Sequence, residues 1–360
     1  MEKISENQLA EVQRIVVLCL GLVGDTFIRV PLVEALRQRF PKAYITVVVE
    51  PASAQVLENH PDCDEVVVVS RNKKPLLRFL RTILKTMIQL RKRHYDVCID
   101  LYSGGSSPLL TCLIAARIRI GFDHTKALRF FNNVLIPRQD FCSNWTKSLA
   151  VMLEPLEISL DQVRRGSTFF PSHKSQARVG EYLDSRKNYV VFNLGAGAGN
   201  KCWPVDRYTH LAKKISNEYG YVPLVFTNPG MEYLAQAFKS DYGEDALILP
   251  VLSLDQVGAI MERCRFVVSG DTSLMHMAFG LKIPTLVLFT YTRPELVEPE
   301  DCFYQWCFKE GRQDRDVRGN YMGVNDISVD YAFSQFQKLL AQCAVQENSD
   351  VMLKREEINV

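Results

Sequence analysis

The residues best suited to chemistry sit in three turns built alike. In the first, the apolar run Arg14-Ile-Val-Val-Leu-Cys-Leu20 stops at Gly21-Leu22-Val23-Gly24-Asp25-Thr26. In the second, Tyr189-Val-Val-Phe-Asn-Leu194 enters Gly195-Ala196-Gly197-Ala198-Gly199-Asn200-Lys201. The third joins Val267-Val268-Ser269 to Gly270-Asp271-Thr272-Ser273, ahead of a helix-like stretch and another apolar run from Thr285 to Phe289. Glycine lets the backbone turn sharply and lets a ligand approach closely. Thr272 and Ser273 at the head of a helix would bring free N–H groups and the positive dipole end to phosphate oxygens. Taken alone, the third turn reads equally well as a capped helix without a ligand. The repeated order of strand, polar or glycine-rich turn and helix is what favours nucleotide binding. Asp25 adds a carboxylate that can act as a general base or as a helix N-cap.

Such turns need particular elements to carry them. Strand, helix and strand in succession require a parallel sheet. The pattern predicts strands at 14–20, 44–49, 65–69, 97–101, 117–121 and 133–136, then at 189–194, 222–227, 246–249, 266–269 and 285–289. It therefore predicts an α/β chain of two doubly wound domains facing across a cleft. The boundaries are 12–170 and 180–325, with a linker near 162–178 rich in Arg, Gly, Ser and Pro. A closing helix is expected over 326–345, and a charged tail without structure over 346–360. A chain of 360 residues accommodates two such domains.

Composition narrows the class. With 47% hydrophobic and 23% charged residues the chain reads as a soluble globular protein. Apolar runs fall short of the ~18 residues a membrane span needs, and the polar start Met1-Glu-Lys-Ile-Ser-Glu-Asn-Gln is no signal peptide. The ten cysteines lack C-x-x-C spacing, which favours reduced cytosolic thiols over a zinc site. No convincing D-x-D pair lies at a turn, so neither metal nor cofactor is called for. Residues 1–170 carry 23 Lys and Arg against 17 Asp and Glu, while the remainder carry 20 against 24. That basic excess gathers in residues 71–94, which hold nine Lys or Arg and no acid. There Leu76, Phe79, Leu80, Ile83, Leu84, Met87 and Leu90 recur at helical spacing. Such a helix either turns a solvated basic face to water or touches anionic lipid or a phosphorylated glycolipid. A nucleic-acid partner is disfavoured, because no recognition motif accompanies the charge.

The motifs resemble glycosyltransferase family nine, the lipopolysaccharide heptosyltransferases. The family's leucine-glycine-x-x-glycine-aspartate appears as Leu20-Gly-Leu-Val-Gly-Asp25, followed by Pro31-Leu-Val-Glu-Ala-Leu36. Its glycine-rich turn and lysine-x-tryptophan-proline appear as Gly195 to Lys201-Cys-Trp-Pro204, then Arg207-Tyr208. Its aspartate-[serine or threonine]-glycine-x-x-histidine appears as Asp271-Thr-Ser-Leu-Met-His276, preceded by Leu249-Pro-Val-Leu-Ser-Leu254. The resemblance spans about residues 14–340. It implies a GT-B fold, an acceptor-binding first domain and a nucleotide-sugar-binding second domain. It also implies inverting, metal-independent transfer from a donor that is usually ADP-L-glycero-D-manno-heptose. The acceptor would be inner-core lipopolysaccharide at the cytoplasmic face of the inner membrane.

The resemblance assigns roles by position. Asp25 becomes the general base. Lys201, Thr272 and Ser273 would hold the donor diphosphate with the backbone of Gly195, Gly197 and Gly270, and Asp271 is a donor-binding residue. Glu232 would accept from ribose hydroxyls, and Leu252 would pack on the adenine. His276 either contacts the donor or packs at the helix. Gly24, Arg71, Lys73, Lys74 and Arg117 are the acceptor-side residues, and the basic stretch 71–94 fits an acidic, phosphorylated acceptor. Trp203 reads as a packing residue. Two departures stand out: Ser273 replaces the family's usual glycine, and Ala196-Gly-Ala-Gly199 lacks the usual hydroxyl residues. Both leave room for another nucleotide sugar, or for a sugar-nucleotide-binding relative without catalysis. A nucleotide-sugar epimerase is less favoured, since only six histidines exist. A nicotinamide oxidoreductase is disfavoured because Gly21-x-x-Gly24 is an incomplete fingerprint.

Overall fold

Buried apolar runs form the central strands of two parallel sheets. The computed structural model describes residues 4–70, 76–102, 104, 107–123, 129–137, 144–195, 202–289, 292–308 and 327–358. These fall into two units, the first running to Phe170 and taking back Glu295–Glu300, the second holding the rest.

Unit 1 contains β1 Arg14–Leu18, β2 Tyr44–Val49, β3 Glu65–Val68, β4 Val97–Asp100, β5 Ile118–Phe122 and β6 Val134–Ile136. Their order is β3-β2-β1-β4-β5-β6, with every pair parallel. β1 and β2 are buried at every position but the first, as expected for strands covered on both faces. The helices are α1 Glu6–Ala10, α2 Val23–Arg39, α3 Leu76–Arg91, α4 Ser107–Ile114 and α5 Trp145–Ala150.

Unit 2 repeats the plan with β7 Tyr189–Asn193, β8 Val222–Phe226, β9 Leu247–Leu249, β10 Phe266–Gly270, β11 Thr285–Leu288 and β12 Tyr304–Cys307. Their order is β12-β11-β10-β7-β8-β9, again parallel throughout. Its helices are α6 His173–Ala177, α7 Val205–Tyr219, α8 Glu232–Tyr242, α9 Leu254–Met261, α10 Ser273–Gly280 and α11 Val329–Ile358. In both sheets the first strand lies inside, and successive connections run to opposite sides of it. The reversal falls between β1 and β4 in unit 1 and between β7 and β10 in unit 2. Ligands of open α/β sheets bind at the carboxyl ends of strands at such a switch point.

Three features differ from the expectation. β12 pairs with β11 from Thr285↔Tyr304 to Leu288↔Cys307, although the sequence pattern offers no strand there. Only Cys307 of its four residues is buried, so an edge strand lacks the continuous apolar signal. The closing helix α11 runs on to Ile358, past the expected boundary at 345, and the stretch contains no Gly or Pro to stop it. Its Ala332, Phe336 and Leu339 are buried in the core of unit 2, where Phe336 meets Phe266 edge-on at 5.1 Å.

The third difference lies in the chain path. Part of the expected linker is α6, which is fixed to unit 2 by Asp255. That carboxylate accepts from the Ser172 N–H and from both the Ser172 and Ser175 hydroxyls, each at 2.6 Å. Conversely, Glu295–Glu300 returns to unit 1. Arg165 bridges to Glu298 at 2.7 Å and to Glu300 at 3.1 Å, Asn144 donates to the Glu298 carbonyl, and the Glu300 N–H donates to the Arg165 carbonyl. Gly166 makes room for this return: at φ +94° it has a conformation side chains rarely adopt, and a Cβ there would lie 2.8 Å from Pro299 Cβ.

Candidate functional site

In unit 2 the switch point gathers the polar ends of two apolar strands. Asn193 ends β7 and pairs in register with Ser269 of β10. Its Nδ2 donates to the Ser269 hydroxyl at 2.9 Å and to the Thr272 hydroxyl at 2.7 Å. Thr272 is the N-cap of α10, yet its side chain makes no cap hydrogen bond. The threonine that could have satisfied the helix head is turned toward Asn193 instead. The first-turn N–H groups of α10 are thus left without a side-chain cap, at the positive end of the helix. The Asp271 carboxylate accepts from the Thr292 hydroxyl at 2.5 Å, which ties the turn to the segment after β11. Such a head suits an oxyanion.

Several expected donor residues lie near this head in sequence and structure. Gly270 is the last residue of β10, opposite Leu288. Ser273 begins α10 and is half-buried, while His276 is buried and donates its N–H to the Thr272 carbonyl at 3.4 Å. Gly195 follows β7 for a packing reason: a Cβ there would lie 2.8 Å from Met231 Sδ and 2.9 Å from Asn228 Nδ2. Leu252 is half-buried in the loop between β9 and α9. Glu232 opens α8 on the exposed surface and accepts from the Gly230 N–H at 3.0 Å. Its own backbone amide and that of Gly230 hold its carboxyl below the usual range. Trp203 is buried, donates to the Ile327 carbonyl at 3.0 Å and meets Tyr208 edge-on. Lys201 and Gly197 lie outside the described residues.

In unit 1 the turn after β1 is held on three sides. Gly21 has φ +138°, which glycine tolerates and other residues avoid. The Leu20 carbonyl accepts from Arg29 Nη1 at 2.6 Å, the Gly21 carbonyl from the Ser53 hydroxyl at 3.4 Å, and the Leu22 N–H donates to Asp25 Oδ2 at 3.0 Å. Asp25 is therefore not the N-cap of α2, which is Leu22; it reaches back from the third helical position. Gly24 lies beside it in the first turn of α2. Beyond this turn, Asp100 ends β4 opposite Leu18 and is wholly buried. Its carboxylate accepts from the Tyr102 N–H at 3.2 Å and from the Ser107 hydroxyl at 2.5 Å.

One expectation needs correcting. Arg117 precedes β5 and lies at the amino ends of the strands, where it pairs with Glu11 at 3.1 Å and Asp96 at 3.7 Å. β1 is five residues long, and at about 3.3 Å per residue that places Arg117 roughly 15 Å from the end that carries Asp25. It serves a local ion-pair cluster there. Arg71, Lys73 and Lys74 lie outside the described residues. Sequence reasoning passed over Asn193, Ser269, Asp100 and Arg29. The first three share a signal, a polar residue closing an otherwise apolar strand. Among the described residues no group of three or more His, Cys, Asp or Glu is placed to hold a metal ion.

Two parallel six-stranded units of this strand order, with polar groups gathered at each switch point, give the α/β architecture of the GT-B fold. The chain belongs to glycosyltransferase family 9 (heptosyltransferase), which matches residues 83–311. It is 22% identical over 281 residues to lipopolysaccharide heptosyltransferase 3 of Escherichia coli, covering 75% of this chain and 81% of that protein. Its fold matches a family 9 glycosyltransferase from Veillonella parvula with a TM-score of 0.82 at 22% identity, covering 92% and 98% of the two chains. It also matches an E. coli heptosyltransferase solved with ADP-2-deoxy-2-fluoro heptose, with a TM-score of 0.72 at 18% identity, covering 91% and 99%.

Proposed function

We propose that this glycosyltransferase moves a heptose from ADP-heptose to an inner-core lipopolysaccharide acceptor, with inversion at the anomeric carbon. The observation that carries the reading is the uncapped head of α10, where Thr272 is held by Asn193 and leaves helix N–H groups for a diphosphate. An E. coli heptosyltransferase of similar fold, solved with a fluorinated ADP-heptose, supports the adenine donor.

The residues then divide the work. Asp25 takes the proton of the acceptor hydroxyl on Oδ1, since Oδ2 already holds the Leu22 N–H. The acceptor oxygen bonds to the anomeric carbon as the bond from that carbon to the phosphate oxygen breaks. The pair of electrons leaves with ADP, and the charge on the diphosphate grows. The N–H groups of α10, the hydroxyl of Ser273 and the ammonium of Lys201 stabilise that charge, and Glu232 and Leu252 hold the ribose and adenine. Arg71, Lys73 and Lys74 meet the acidic acceptor, with Gly24 beside the base. The basic face of α3 rests on an anionic cytoplasmic membrane surface, where the acceptor lipid would be found. No helix among the described residues is long and apolar enough to cross a membrane.

Thermal stabilisation by ADP, UDP, GDP and ADP-heptose tests the donor. A ligand at about 100 times its dissociation constant should add roughly 2.7 kcal/mol, with ADP and ADP-heptose selectively effective. A preference for UDP or GDP would discard the heptose donor, and no response to any would discard catalysis. Asp25→Asn should lose about 10²–10⁴-fold in turnover while binding ADP as before. Unimpaired turnover in that variant would remove Asp25 as the base.

A further inference from the structure

Arg29 is a charged side chain where a helix facing the core would ordinarily present an apolar one. It is 8% exposed, on the buried face of α2 with Val30, Leu32 and Val33. Its Nε is buried and has no hydrogen-bond partner. A methionine could fill similar space without stranding a donor, and burial of a cation rarely adds stability in its own right. The explanation lies in what the rest of the guanidinium does. Nη1 donates to the Leu20 carbonyl at 2.6 Å, one residue before Gly21. Asp25 accepts from the Leu22 N–H at 3.0 Å, one residue after it. A Cβ built on Gly21 would lie 2.8 Å from Asp25 Oδ2 and 3.3 Å from Arg29 Nη1. Two side chains one helical turn apart thus close over the same bare α-carbon and grip the peptide groups on either side of it.

We propose that Arg29 is a positioning residue for the general base. By fixing the Leu20 carbonyl it sets the direction of the Leu22 N–H. That N–H engages one oxygen of Asp25, which leaves the other oxygen oriented for the acceptor hydroxyl. Arg29 touches neither substrate. This inference rests on the reading of Asp25 as the base, and it adds a second residue through which that base is aimed. The glycine at 21 belongs to the same device, because any side chain there would displace the carboxylate that Arg29 helps to aim.

The test compares Asp25→Asn, Arg29→Met, Arg29→Lys and the double variant Asp25→Asn/Arg29→Met. Turnover is read as ADP release from ADP-heptose with heptose-free inner-core lipopolysaccharide, alongside melting temperature. Arg29→Met should lower the melting temperature modestly, since the buried Leu20 carbonyl loses its hydrogen bond from Arg29, lower kcat by about 10- to 100-fold as a small misplacement does, and leave the donor KM within about threefold. Arg29→Lys should recover part of kcat, since an ammonium can still reach the Leu20 carbonyl. The double variant should be no slower than Asp25→Asn alone, because the two residues act as a unit. Full kcat in Arg29→Met overturns the proposal, as does a double variant slowed by the product of the single losses. If Arg29→Met fails to fold, Arg29→Lys decides: the wild-type melting temperature with a lowered kcat supports the role, and no change in kcat overturns it. Asp25→Asn read alone separates the two failures. Full turnover there removes the base itself, whatever Arg29 does.

Discussion

Asn193 holds two hydroxyls with one amide, and its position at the end of β7 makes it a joint between strand and helix head. Replacing it with alanine would leave the buried Ser269 and the half-buried Thr272 with only each other, 3.3 Å apart, and the Gly270 carbonyl as partners. Asn193→Ala is expected to cost about 1 kcal/mol of stability, the usual worth of a lost buried hydrogen bond. Thr272, released, would be free to cap α10 and compete with phosphate. Calorimetry with ADP should therefore show weaker binding as well as a lower melting temperature; unchanged ADP affinity would mean that the Thr272 orientation is irrelevant to the site. At this scale the sequence is partly legible. Asn193, Ser269 and Asp100 each interrupt an apolar run at its last or next-to-last place, which marks them as residues at the ligand-facing end of a strand. Arg29 carries no such mark. An arginine one turn after Asp25 reads as an exposed helix position, and only the packing of α2 shows that it points inward. Arg117 fails for the opposite reason: charge alone identified it, and charge does not say at which end of a sheet a residue lies.

The strands were the easiest elements to read, because a parallel sheet buries both faces and writes unbroken apolar runs. Edge strand β12 escapes that rule, with Trp306 38% exposed and Tyr304 and Gln305 half-buried. Helix α3 shows a subtler shift. Its apolar positions were expected to share one face, yet Met87 and Leu90 are buried while Leu84 and Ile88 remain 50% and 46% exposed. Arg81, Lys85 and Arg91 are exposed on the same helix. Two apolar side chains one turn apart, among cations and without an acid, suit shallow insertion into an anionic lipid surface. Leu84→Glu/Ile88→Glu should weaken co-sedimentation with vesicles of mixed phosphatidylglycerol and phosphatidylcholine. Each leucine-sized side chain withdrawn from lipid is worth up to about 1.5–3 kcal/mol. Undiminished sedimentation would assign the face to water.

For the whole molecule, the feature least visible in the sequence is the return of Glu295–Glu300 to unit 1. Pro294-Glu-Leu-Val-Glu-Pro-Glu300 has the composition of an ordinary surface loop, and nothing local says that its carboxylates meet Arg165. Arg165→Glu in the full chain should destabilise unit 1 by on the order of 2 kcal/mol, since charge-assisted hydrogen bonds to both Glu298 and Glu300 are lost. A calorimetric trace should show unfolding move to lower temperature. An unchanged trace would reduce the return segment to a decorative contact.

That segment also imposes an order of events during translation. A ribosome adding about 5–20 residues per second reaches Glu300 roughly ten seconds after it passes Phe170. For that interval the amino-terminal half has left the ribosome but still lacks one of its own pieces, while most of the other half is being made. Its final tightening therefore waits on its neighbour's synthesis, and the two halves mature as a pair.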